Sequence, residues 1–330
     1  MHVSGRYTDS TVDFSGCTRD LGDNNIANGF NIGFFGGASV IPPGGCVTLD
    51  IATFTPVRVE RELKEDSFSW RANLSFEPDP DSLIYANVTR GFKGGSFPNL
   101  SATEASQYTP VTQEELTAYE AGFKLSRLGG DVQINGAVFY YDYKDKQVRG
   151  RIQVPVFGPL EALVNVPDSE ILGLEGEIRV RPAEGWNIFL NATYLDSEIG
   201  DFQDFDGLGN TGDFTGEAFP NTPALSGSLD ISKDWFLAND SRISLGMNLS
   251  YQSDTNSNFG ELVVFDVDDY ALLDLRAGYF SPDDDWNIQL FARNVTGSTY
   301  WISANRSVDT IIRVTGQPTI FGVRATVNFP

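Results

Sequence analysis

Stretches of about ten residues with alternating polarity recur along this chain, joined in turn by short and by long connections. Successive side chains of a strand point to opposite faces, so a strand lying between lipid and water reads apolar, polar, apolar. Phe68, Trp70, Ala72, Leu74 and Phe76 share one phase, and Ser67, Ser69, Arg71, Asn73 and Ser75 share the other. A slip of one residue would carry Arg71 into the apolar layer, which fixes the register. The pattern returns at Trp186, Ile188, Leu190, Ala192 and Tyr194, and at Ile243, Leu245, Met247, Leu249 and Tyr251. The last segment sets Phe321, Val323, Ala325, Val327 and Phe329 against Gly322, Arg324, Thr326 and Asn328, with Pro330 behind Phe329. This rhythm predicts an all-β fold, an antiparallel transmembrane β-barrel.

The connections fall into two classes. Glu77 to Asp81, Ser126 to Gly130, Pro182 to Gly185, Trp235 to Asp240 and Ser281 to Asp285 are short and rich in Pro, Gly, Asp and Ser, as hairpin turns are. The long ones run near Thr8 to Asp66, Lys93 to Thr112, Lys144 to Asp168, Glu198 to Asn221, Gln252 to Asp268 and Gly297 to Gln317. Bacterial outer-membrane barrels keep short turns on the periplasmic side and long loops outside, and strict alternation places each turn accordingly.

Composition narrows the function. Hydrophobic residues make up 41% of 330 residues yet form no helical membrane span. With 23 Lys+Arg against 45 Asp+Glu the net charge is −22, which leaves no basic stripe for nucleic acid. The acidity reads first as solvated loops. Tyr and Trp near segment ends fit interface girdles, although a sandwich core could also use them.

Cys17 and Cys46 both lie in the first long connection. An oxidising compartment permits a bridge between them, and closing that loop would contribute about 3.6 kcal/mol in the chain-entropy model. A staple within the loop is favoured over a metal pair or a reactive thiol, because no His or further Cys lies nearby.

Several stretches in order resemble the C-terminal barrel region of the TonB-dependent outer-membrane receptors. They are SFSWRANLSFEPDPDSLIYANVTRGFKGGSF at 67–97, ELTAYEAGFK at 115–124 and INGAVFYYDYKDKQ at 134–147. EILGLEGEIRVRPAEGWNIFLNATYLDSEI follows at 170–199, then FPNTPALSGSLDI at 219–231 and WNIQLFARNVTGSTY at 286–300. The resemblance covers nearly the whole chain and implies one barrel domain over 1–330, with a long external loop at about 8–66. Family members carry a signal peptide, a TonB-contacting segment and a plug ahead of a barrel of twenty-two strands. Here about twelve strands are expected, the first incomplete, as in the C-terminal part of such a receptor. The family ends on an aromatic residue, from which Pro330 departs. An open half-barrel leaves two unpaired edges, so the expectation is a fragment of a longer receptor.

Strand phase places Arg71, Glu120, Lys124, Glu175, Glu177, Arg179, Arg293 and Arg324 on the wet side. Such charges solvate a wide lumen, or, as the resemblance implies, several pair with the plug. Among loop aromatics, Tyr108, Phe157, Phe202, Phe205, Phe214, Phe259, Tyr300 and Trp301 are candidate solute contacts, or pack their own loops. Asp201, Asp204, Asp206 and Asp213 sit among glycines that could present oxygen ligands to calcium, but their spacing is not an EF-hand, and a solvated loop is favoured. GFKGGSF from Gly91 only superficially resembles a phosphate loop, since no helix pattern follows. His2, the sole histidine, has no motif around it, which disfavours a His-dependent triad and haem capture.

No nucleophile–base pair or metal-ligand spacing marks an enzyme, and no cofactor is expected. The resemblance implies active import of a scarce nutrient, ferric siderophores first, driven by TonB–ExbB–ExbD through the plug. Outer-membrane lipid, the barrel-assembly machinery and a metal chelate or other nutrient are the implied partners. A passive porin or structural barrel would share the periodic features, and a secreted all-β binding module would share the cysteines and aromatics.

Overall fold

The computed structural model describes residues 1–330 apart from Leu21, Val308, Phe329 and Pro330. The facing expected of Phe329 therefore falls outside the described residues. Twelve strands form one antiparallel sheet: β1 His2–Gly16, β2 Val59–Asp79, β3 Ser82–Lys93, β4 Glu114–Arg127, β5 Val132–Val154 and β6 Gly158–Val180, followed by β7 Trp186–Ile199, β8 Leu225–Phe236, β9 Arg242–Gln252, β10 Tyr270–Phe280, β11 Trp286–Arg293 and β12 Ile320–Val327. Each strand pairs with the next in the chain, and no pairing joins β1 to β12 among the described residues.

The register carries out the phase read from the sequence. Phe123 faces Gly136 across β4 and β5, Ile178 faces Leu190 across β6 and β7, and Leu229 faces Leu249 across β8 and β9. Their side of the sheet is bare: Leu74 is 62% exposed, Phe76 64% and Phe321 77%. Bilayer hydrocarbon is the solvent that such a face requires, and among the described residues no helix is long and apolar enough to cross. At one border of the apolar band, Tyr119 and Tyr140 lie side by side, their ring centroids 6.3 Å apart. Beyond them the same face turns charged, where Lys144 pairs with both Asp142 and Asp168. At the opposite border Tyr279 packs on Trp286, and Lys233 Nζ stands 5.7 Å from the ring centroids of both Trp186 and Trp235. These are the aromatic girdles of a spanning sheet.

The inner face is polar but is also paved by rings laid over glycines. Tyr85, Phe139 and Phe291 lie over their register partners Gly122, Gly173 and Gly322. A Cβ at those glycines would come within 2.6, 2.1 and 2.2 Å of the respective side chains. The rings shield exposed backbone and replace the side-chain packing that glycine cannot supply.

All five short turns are present, but two long connections are shorter than the expected ranges. β1 and β2 stay paired as far as Gly16 opposite Val59, which reduces the first connection from about 8–66 to 17–58. The extension persists because Val59, Ala102 and Tyr108 form a buried cluster with Phe14, whose ring stacks on Phe97 at 4.7 Å. Lys144 to Asp168 is not a loop but the outer half of the β5–β6 hairpin, which turns only at residues 155–157. Its arms bury Val148, Val164 and Val166 against Ile199, Phe202, Phe214, Phe219 and Phe259. Asp145, at φ 52°, interrupts the ladder locally, but the register continues unshifted from Lys144 opposite Asp168 to Lys146 opposite Val166.

Cys17 and Cys46 are joined in a disulfide beneath the first connection. Helix α1, Asn25–Phe35, lies within that loop. The Asp20 carboxylate accepts the Ile26 N–H at 2.9 Å, and the Asn31 side chain bonds both backbone groups of Ile41 at 2.9 Å. Each contact satisfies polar groups that a small loop core would otherwise strand.

Candidate functional site

Five connections on one side of the sheet wall a half-open cavity of about 920 Å3. Its walls are Asn99 to Ser101 between β3 and β4, the outer β5–β6 hairpin, Phe205 to Gly207 and Phe219 to Thr222 between β7 and β8, Ser257 to Phe259 between β9 and β10, and Asn305 between β11 and β12. The volume falls in the range of small-molecule sites.

Three cations, Lys146, Arg149 and Arg151, line it from β5. The Lys146 ammonium lies 3.9 Å from the Tyr143 ring centroid and 5.1 Å from that of Phe219. Burial holds its pKa below the ordinary lysine value, against the opposing pull of Glu114. Arg149 is exposed. Arg151 turns to backbone, donating to the Asp206 carbonyl at 2.6 Å and to that of Gly207. Among the described residues, none of the three is in an ion pair, although eight other cations are.

Arg151 and Arg306 grip the same loop, for Arg306 donates to the Leu208 carbonyl. Below it Asp204 is buried, its carboxylate accepting the N–H groups of Phe205 at 2.7 Å and Arg151 at 3.3 Å. Burial raises the Asp204 pKa, with those hydrogen bonds and the Arg151 charge offsetting part of it. Burial also opposes ionisation of Asp206, but hydrogen bonds from Asn210, Leu208 and Gly209 outweigh it and hold its carboxyl below the usual range. Asp204 thus spends its oxygens on backbone N–H groups of the loop and of β5, Asp206 on groups of its own loop, and Asp201 is exposed. Among the described residues no three His, Cys, Asp or Glu side chains converge as a metal site.

The aromatic candidates divide by position. Phe205 and Phe259 line the cavity, while Phe202 and Phe214 are buried behind it. Tyr108 does not line the cavity but is buried behind its wall, its hydroxyl donating to the carbonyl of the lining residue Leu100 at 3.3 Å. Phe157, at the tip of the β5–β6 hairpin, packs on Phe34 of α1 and on Phe54. The Tyr300 ring packs tilted on Tyr270, centroids 4.4 Å apart, and Arg313 stands over Trp301.

The charged candidates lie on the inner face, away from the cavity. Glu120 and Glu175 flank Phe139 in the register, Glu175 facing Ala137. Asn135 donates to Glu177 at 3.3 Å, while Lys124 registers with Asn135 on its other side. Arg179 and Arg293 stand over Phe189 and Phe291. Arg71 and Arg324 face Thr89 and Gln289. Among the described residues no ion pair within the chain engages any of the eight.

Sequence reasoning passed over Lys146, Arg149 and Arg151. The available signal was four bases within KDKQVRGR, three of which line the cavity, in a chain whose net charge is −22.

A family model described as "TonB dependent receptor-like, beta-barrel" matches residues 2–295. The probable TonB-dependent siderophore receptor PiuA of Acinetobacter baumannii is 25% identical over 158 residues, covering 45% of this chain and 20% of that protein. Among solved structures, the ferric yersiniabactin uptake receptor FyuA of Yersinia pestis superposes with a TM-score of 0.69 at 17% identity, covering 84% of this chain and 39% of that one. The ferric-catecholate import receptor Fiu of E. coli K12 gives 0.67 at 17% identity, covering 99% and 42%. The chain therefore spans about two fifths or less of each of these proteins, and the structural likeness speaks for the fold.

Proposed function

Because the chain belongs to the TonB-dependent receptor-like β-barrel family, we propose that it serves in an outer-membrane importer that captures a ferric siderophore in the chamber between its external loops. The observation that carries this reading is the half-open chamber, walled jointly by five connections above a sheet whose outer face is apolar. The names of the similar proteins, siderophore and ferric-chelate receptors, support iron as the cargo. Energy coupling through TonB–ExbB–ExbD, insertion by the barrel-assembly machinery and a plug held by Glu120, Glu175 and their neighbours complete the proposal.

Bare leucine and phenylalanine along the outer face disfavour a secreted binding module, which would have to bury them. A passive porin shares the sheet but has no use for a chamber walled by five interlocking connections. The test is uptake of radioactive iron from a panel of ferric siderophores by cells with and without the gene. Uptake that needs the gene and stops with an uncoupler is expected. Gene-dependent uptake that continues without energy would replace the importer by a porin.

A further inference from the structure

Resting on the importer reading above, we infer that this chamber selects ferric chelates of net negative charge, with Lys146 and Arg149 reading that charge. The chain is strongly acidic, so an anion approaching it meets repulsion on average. Against that background the chamber gathers three cations within six residues of one strand. Lys146 has aromatic rings for partners, and ring faces satisfy its charge without filling its N–H donors. Among the described residues no hydrogen-bond acceptor is placed on Lys146 Nζ or on the Arg149 guanidinium. Arg151 is occupied by carbonyls and shapes the wall.

Two carboxylates share the chamber. Asp206 is turned into its own loop, and Glu161 stands opposite Arg151 in the register. The carboxylate acting most on Lys146 is Glu114, which already accepts the Gln147 N–H at 2.8 Å and lies 3.7 Å from Lys93. Two donors therefore await an acceptor from outside. A chelate that presents anionic oxygens at its rim supplies it, and a neutral chelate of equal size does not.

The experiment measures binding of two gallium(III) chelates of matched size to the intact receptor in detergent, one a trianionic tris-catecholate and the other a neutral tris-hydroxamate. The trianion should bind at least about tenfold more tightly at physiological salt, with the preference shrinking as salt rises. Lys146→Gln and Arg149→Gln should each erode that preference by about tenfold while leaving the neutral chelate unaffected. Arg149 is exposed, so its variant keeps the test valid should Lys146→Gln disturb folding. Arg149→Lys should restore most of the preference. Equal binding of the two chelates, tighter binding of the neutral one, or variants that weaken both alike would overturn charge selection and leave the importer standing. Binding of neither chelate, together with no gene-dependent iron uptake, would remove both.

Discussion

Arg276 grips both carboxylate oxygens of Asp230, at 2.7 and 2.8 Å, by reaching over the strand that separates them. The bridge passes above Gly246, the register partner of Arg276, where a Cβ would lie 2.6 Å from the guanidinium. Glycine is required there because the ion pair needs the space. Both partners are partly exposed, so the pair contributes no more than about 1 kcal/mol. Gly246→Ala should push the guanidinium aside and cost as much as Asp230→Ala. The double variant should cost no more than either single one, as read from thermal unfolding of the intact receptor. Additive losses would show that the glycine serves some other purpose.

The two faces of the sheet should answer oppositely to the same substitution. Leu174 is 52% exposed on the outer face, and Thr193 faces Glu175 on the inner one. Leu174→Arg should cost about 2 to 4 kcal/mol if it lies near the bilayer midplane. Thr193→Arg should cost far less, since it gains a carboxylate neighbour and stays in water. Unfolding titrations in lipid vesicles measure both, and equal costs would contradict the assignment of faces.

The Cys17–Cys46 bridge closes the module that carries α1. Replacing both cysteines with serine should destabilise residues 17–58 by up to about 3.6 kcal/mol. The barrel should survive, because pairing of β1 with β2 begins at Gly16 opposite Val59 and runs away from the bridge. Proteolysis on intact cells should cut the loop faster while the folded-barrel band in cold detergent gels persists. Unchanged loop protection would mean that Asp20, Asn31 and the phenylalanine cluster suffice to hold it.

Strands that face lipid were legible because their environment is uniform, so one alternation rule governs Phe68 through Phe76 as it does Ile243 through Tyr251. The outer β5–β6 arms were not, although Val148, Ile152 and Val154 alternate there too. Lys146, Arg149 and Arg151 put charge among the apolar positions, and Gly150 interrupts their run. Those arms are buried by other loops instead of lipid, and the cluster that gathers Val166 with Phe214 depends on pairings that no local pattern encodes. The chamber was hidden for the same reason: its walls meet only in space, so KDKQVRGR read as loop and Phe202 looked no different from Phe205.

Asp204 makes the chamber wall sensitive to acid in a specified direction. Its pKa is raised above 3.8, chiefly by burial, so the folded protein holds this proton more tightly than the unfolded chain does. Stability from this group therefore falls as pH rises from 3.8 through the raised folded value, and is regained on acidification across that window. Glu217, also raised by burial, acts with the same sign. Asp213 is lowered by its hydrogen bonds to Thr215, so its contribution is lost only as pH falls below 3.8, on the other side of the window. Asp204→Asn keeps an oxygen for the Phe205 and Arg151 N–H groups but carries no charge. It should raise hydrogen-exchange protection across residues 203–213 at neutral pH and flatten its dependence on mild acidification, once intrinsic exchange rates are divided out. Asp204→Ala should lower protection at every pH, by about 1 to 3 kcal/mol, because it orphans both N–H groups. An asparagine variant less protected than the wild type at neutral pH would show that the Asp204 charge, paired with Arg151, stabilises the wall after all.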